Sequence, residues 1–157
     1  MQTPIDLRLA RHGVIVLLLG LCTGFFIGIF HNRQVGNAAH LVGLIGGFGT
    51  IALGVLWPKL TLSRFWSLTG AWMTAASMYL NWLGVALKGA FGSGPKAPNP
   101  AVLGSPLVWD RLGGALLTVG ALLSLVAVVI VLFGLRRLAV PAAAVESAVT
   151  GLAPDVR

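Results

Sequence analysis

The stretch Asn37-Ala38-Ala39-His40-Leu41-Val42-Gly43-Leu44-Ile45-Gly46-Gly47-Phe48-Gly49-Thr50 decides what kind of molecule this chain makes. It is an apolar segment opened by a histidine and studded with glycines, with no proline to stop a helix. At 3.6 residues per turn, His40, Gly43, Gly47, Thr50 and Gly54 fall along one face. That face is nearly bare of side chains, and two readings of it stand. An imidazole at the head of a bare strip suits a helix that ligates the iron of a flat macrocycle and lets the ring lie on its backbone. His40 is then the ligand, and Gly43 and Gly47 are the cofactor-contacting positions. Glycines at this spacing equally serve close packing of a second helix, with the histidine hydrogen-bonded to that neighbour.

Outward from this segment, the composition sets the class. Of 157 residues, 57% are hydrophobic and 10% charged, and the mean hydropathy is +0.91. Such a chain reads as an integral membrane protein of one domain. The net charge of +7 does not point to nucleic acid, because the basic residues stand singly at the ends of apolar runs, where they anchor helices at lipid headgroups. Cys22 is the one cysteine, which excludes an intramolecular disulfide or a cysteine metal cluster. The acidic residues are Asp6, Asp110, Glu146 and Asp155, three of them in terminal segments, so no carboxylate pair is available for acid/base work. No P-loop motif is present.

Four spans are expected, over about 12–30, 36–57, 65–90 and 108–135, giving an all-α four-transmembrane-helix bundle over 1–138. Gly20, Gly24 and Gly28 recur every fourth residue in the first span and predict a close helix contact. A polar turn at His31-Asn32-Arg33-Gln34 precedes the second span, which Pro58 ends. The segment 91–106, rich in glycine and proline, is the one long loop and reads as a lid or subunit contact. Residues 139–157 read as a disordered tail. Arg8, Arg11, Lys59, Arg64, Arg136 and Arg137 fall on one side, against Arg33, Lys88, Lys96 and Arg111 on the other. The positive-inside bias therefore places both termini in the cytoplasm, in a bacterial inner membrane. With this topology Tyr79 and Asn81 are expected in one layer with His40, and His12 about a bilayer thickness away from it. One intramembrane histidine layer in an apolar bundle suits a lipophilic substrate or a cofactor.

Taken together, His12-Gly13, the segment Gly36-Asn37-Ala38-Ala39-His40-Leu41, the sequence Ala52-Leu53-Gly54-Val55-Leu56-Trp57-Pro58, and Tyr79-Leu80-Asn81-Trp82 followed by Gly89-Ala90-Phe91-Gly92-Ser93-Gly94 resemble the hydroxylaminobenzene mutases. More distantly they resemble the styrene oxide isomerases, over about 12–135. The resemblance implies a membrane isomerase of aromatic degradation, assembled as a homotrimer, with ferric haem b near subunit interfaces. It also implies an axial histidine, which falls here on His40. The expected reaction turns hydroxylaminobenzene into 2-aminophenol by intramolecular hydroxyl transfer, with Asn81 hydrogen-bonding the substrate and Tyr79 as a second catalytic candidate. The asparagine that styrene oxide isomerases carry six residues after the axial histidine falls on Gly46, and their tyrosine on the third span falls near Val85, so the mutase reading gains over epoxide isomerisation. Epoxide-to-aldehyde isomerisation stays open as an alternative. A non-catalytic haem carrier, with His31 as second ligand, and a scaffold without cofactor also remain.

Overall fold

The computed structural model describes residues 4–92 and 106–136. Within them lie four helices: α1 (Pro4–Phe26), α2 (Arg33–Leu56), α3 (Arg64–Phe91) and α4 (Pro106–Arg136). Short 3-10 turns at Ile27–Ile29 and Trp57–Lys59 close α1 and α2. Most of the glycine- and proline-rich loop, residues 93–105, and the expected tail, 139–157, lie outside the described residues.

Local chemistry sets the helix ends. The Asn32 side chain accepts a hydrogen bond from the Val35 amide at 3.2 Å, so α2 starts inside the polar turn at an asparagine cap. Its other end meets Pro58, whose ring fits the tight 3-10 turn and cannot continue the helix. The first helix begins at Pro4, about two turns before the expected start at His12. Arg8 and Arg11 are carried within it, since their apolar stems lie along a helix while the guanidinium groups reach the headgroups.

The interior is built from small residues and the exterior from large ones. The buried positions of α2 are Gly36, Ala39, Gly43, Gly47, Thr50 and Gly54, while Leu41, Ile45, Phe48 and Val55 point outward. This inverts the water-soluble pattern. It is what packing in lipid selects, because burying a leucine gains little where the solvent is itself apolar and close backbone approach gains more. Three helical stretches are long and apolar enough to cross a membrane: Leu7–Ile29, Arg33–Lys59 and Leu107–Arg136. Of the four expected spans, α3 has the length, at 28 residues, but carries too many polar groups. The reason is its position. It touches α1, α2 and α4, and several of its polar side chains bond inside the protein: Thr74 Oγ1 donates to the Gly70 carbonyl at 2.8 Å and Ser77 Oγ to the Thr74 carbonyl at 2.8 Å.

α1 and α2 form an antiparallel hairpin, and α4 lies mainly along α3. Leu9, Trp57, Ala71, Ala75 and Val131 make a small core toward one end of the bundle. At that end Trp57 Nε1 donates to Ser67 Oγ at 2.9 Å and Thr61 Oγ1 to the Gly134 carbonyl at 3.1 Å, tying the α2–α3 connection to the end of α4. At the opposite end the Asn32 amide donates to the Gly89 carbonyl at 2.9 Å.

Candidate functional site

His40 stands in the seam between α1 and α2. Its Nδ1 lies 2.7 Å from the Gly20 carbonyl oxygen. A carbonyl can only accept, so the proton is on Nδ1, and Nε2 keeps its lone pair. Metal-bound histidines are commonly fixed this way, the second nitrogen donating to a carbonyl that sets tautomer and ring orientation. Gly24 makes the seat possible: a Cβ there would lie 2.7 Å from His40 Nδ1 and 2.8 Å from Cε1. The ring is half-buried and sits on the side of α2 that faces α1. Gly46, on the opposite flank of the helix, meets Met78 of α3 instead. The neighbouring Gly28 has open space around it. As a nitrogen donor to a haem iron, His40 would fit. Among the described residues no three of His, Cys, Asp or Glu gather into a cluster able to hold a metal ion by themselves.

The strip below His40 is filled differently from the macrocycle expectation. A Cβ on Gly43 would fall onto the Gly20 Cα, and one on Gly47 would lie 2.6 Å from the Leu17 amide nitrogen. Both glycines face the backbone of α1, so within one protomer they serve helix contact, and the surface they offered to a flat ring is occupied. Of the ladder in the first span, Gly20 meets the α2 backbone, Gly24 meets the imidazole, and Gly28 meets nothing within 4 Å.

The α3 candidates do not join His40. Gly46 packs against Met78, Gly43 against Trp82 and Gly36 against Gly89, a register that puts His40 level with Val85. Tyr79 is thus about six residues, or ~9 Å, nearer the other end, and its ring leans farther that way, as long side chains on helices do. Its hydroxyl lies 3.1 Å from His12 Nδ1. Asn81 faces α4, with Nδ2 3.5 Å from Ser124 Oγ and Oδ1 over Gly120, where a Cβ would lie 2.5 Å away. The expected single layer of His40, Tyr79 and Asn81 is therefore three separate places: the α1–α2 seam, the α1–α3 seam and the α3–α4 seam. His31, the candidate second ligand, lies in the turn before α2, and its Nε2 is buried without a hydrogen-bond partner among the described residues.

Two pairings were not read from the sequence. Trp82 Nε1 donates to Thr23 Oγ1 at 3.1 Å, and Thr23 in turn donates to the Leu19 carbonyl at 2.7 Å. The pairing of His12 with Tyr79 is the other. An indole N–H and a phenol in an apolar helix both need partners, and that need was the available signal.

Comparison with known proteins follows the same lines. Hydroxylaminobenzene mutase HabA of Ectopseudomonas oleovorans is 40% identical over 84 residues, covering 54% of this chain and 62% of that protein. Hydroxylaminobenzene mutase HabB of the same organism is 36% identical over 93 residues, covering 59% of this chain and 57% of that protein. The matched segments thus span somewhat less than two thirds of either relative. No solved structure matches. The profile of the styrene oxide isomerase family matches residues 5–136, which takes in all four helices but for the first residue of α1, and the chain belongs to that family.

Proposed function

We propose that this chain is a membrane-bound isomerase that converts hydroxylaminobenzene to 2-aminophenol, with haem b held by His40 in a homotrimer of the bacterial inner membrane. The observation that carries the reading is the seat of His40: an intramembrane imidazole whose Nδ1 is committed to the Gly20 carbonyl at 2.7 Å, leaving Nε2 as a donor. The strip below it is taken by the α1 backbone at Gly20 and Leu17, which favours a cofactor between the α1–α2 hairpin and a neighbouring protomer over one inside the bundle. In this reading all four helices cross the membrane. At ~1.5 Å per residue α3 exceeds the ~30 Å hydrocarbon core, and the termini lie in the cytoplasm. The two mutases among the relatives favour the hydroxylamine over an epoxide, as do Gly46 and Val85 at positions where styrene oxide isomerases carry asparagine and tyrosine.

The reaction needs no net electrons. The N–O bond breaks, a C–O bond forms at the ortho carbon, the ortho C–H proton is released and the nitrogen gains one. Bound haem, held by His40, would supply a Lewis acid for the hydroxylamine oxygen. The Gly20 carbonyl keeps the His40 proton on Nδ1 and the ring in one orientation. Leu21 and Leu41, next in sequence to Gly20 and His40, are exposed, and such apolar surface would exclude water that traps a ring carrying positive charge.

Purified wild-type protein should show a Soret band and produce 2-aminophenol from hydroxylaminobenzene, and His40→Ala should lose both. A His40→Ala protein that keeps its band and its turnover overturns the assignment. The family match favours running styrene oxide beside it: an aldehyde formed from the epoxide, with the hydroxylamine left unchanged, would replace the mutase reading with an epoxide isomerase.

A further inference from the structure

A second polar site lies far from His40. In the hairpin Gly13 packs on Ile51, Gly20 on Gly43 and Gly24 on His40. With the α2–α3 register given above, His12 is level with residue 73 of α3, and His40 with residue 85. The two histidines are therefore roughly 18 Å apart in depth. The His12 imidazole lies with its centroid 5.8 Å from that of Tyr79, edge to face, and 5.8 Å from that of Trp72. Beside it a recess of about 130 Å³ opens between α1 and α3, lined among others by Arg8, His12, Trp72, Ala71 and Ala75.

We infer that this recess is a binding site for a single aromatic ring bearing a hydroxyl group. The inference rests on the proposed function only for the source of the ligand, since arylhydroxylamine and aminophenol both have that chemistry. Size comes first: a cavity of about 150 Å³ holds benzene, so this one admits one ring and not two. Shape follows from two alanines one turn apart, Ala71 and Ala75, both buried, whose methyl groups leave a flat apolar floor. The Trp72 indole stands beside it, 61% exposed. Polarity decides the substituent. His12 Nδ1 is engaged by Tyr79, and Nε2, with no partner among the described residues and not fully buried, is open to a hydroxyl entering the recess, which it can pair as an apolar ring covers it. Arg8, which also lines the recess, favours an electron-rich ring over a cationic one. A lipid acyl chain would leave Nε2 unpaired, and a lipid phosphate would meet Arg8 without filling the floor.

The test is fluorine NMR of the detergent-solubilised full chain with 4-fluorophenol and with fluorobenzene, each also run on His40→Ala. The phenol should bind about tenfold more tightly than fluorobenzene, the ratio expected from one hydrogen bond in an apolar surround, and equally in His40→Ala. His12→Leu should level the two probes. Ala75→Leu should abolish binding of both, and Trp72→Ala, an exposed position, gives the same reading if the leucine does not pack. Equal affinities in wild type, binding that survives both recess variants, or displacement of the phenol by short-chain phosphatidylglycerol overturns the site. Conversion of hydroxylaminobenzene, followed in the same samples, separates the two readings. Turnover without phenol binding at the recess overturns this inference alone, whereas recess binding in a protein that converts nothing overturns the proposed function alone.

Discussion

At the scale of single residues, Gly24 is the position that seats the candidate ligand, His40. Its missing Cβ is what lets the His40 ring lie against α1, with 2.7 Å between the ideal Cβ position and Nδ1. The obstruction is a side chain, not a backbone, so Gly24→Ala should leave the fold intact and turn the imidazole away from the Gly20 carbonyl. Losing an outer-shell bond of this kind costs about 10–100-fold in metal affinity. Haem titration of the purified protein should show a loss in that range, while Gly28→Ala, with nothing within 4 Å, should bind haem like wild type. That His40 would need a partner was legible in the sequence, because an imidazole in an apolar helix cannot stay unpaired. Which partner it takes was not, since a ladder of glycines at every fourth residue does not say which of them meets a backbone and which a ring. The lean of Tyr79 toward His12 was missed for a related reason: a residue number fixes the depth of a Cα, and a phenol ends some ångströms away from it.

At the scale of helices, α1 and α2 cross where two glycines meet. A Cβ on Gly20 would lie 2.7 Å from the Gly43 carbonyl carbon, and no rotamer relieves a contact between main chains. Gly43→Ala should therefore part the helices and destabilise the protein by about 1–3 kcal/mol, the usual cost of overpacking. Denaturant unfolding in detergent would register it. Gly49→Ala is the matched control in the same helix, with open space around it, and should be neutral or slightly stabilising through lower backbone entropy in the unfolded chain. The helices themselves were legible because their punctuation is chemical: Asn32 caps and Pro58 stops. The start of α1 was not, because a lead carrying Arg8 and Arg11 reads as polar by composition although both side chains can run along a helix to the headgroups.

At the scale of the whole molecule, the outer surface of the bundle is apolar, Phe65, Trp66 and Trp72 of α3 included, and α3, in contact with all three other helices, carries the polar side chains that pair across the seams: Tyr79 with His12, Asn81 with Ser124 and Trp82 with Thr23. That division explains why α3 has the length of a span without the hydropathy of one, and composition alone could not foresee it. It also redirects Asn81. The sequence placed this residue with His40 by counting residues along the chain. Helix register places it against Gly120 and Ser124, on the side of α3 turned away from the α1–α2 hairpin. The 3.5 Å separation from Ser124 Oγ is a long contact that contributes little, and polar contacts between membrane helices average about 0.6 kcal/mol. Asn81→Leu should accordingly lower stability by an amount of that order, measured by unfolding in detergent, and leave haem content and conversion of hydroxylaminobenzene at the wild-type level. A hundredfold fall in turnover at full haem content, ~2.7 kcal/mol of lost transition-state stabilisation, would mean that Asn81 reaches the reacting atoms from a neighbouring protomer. Within one chain α3 itself stands between the α4 face that holds Asn81 and the hairpin seam that holds His40.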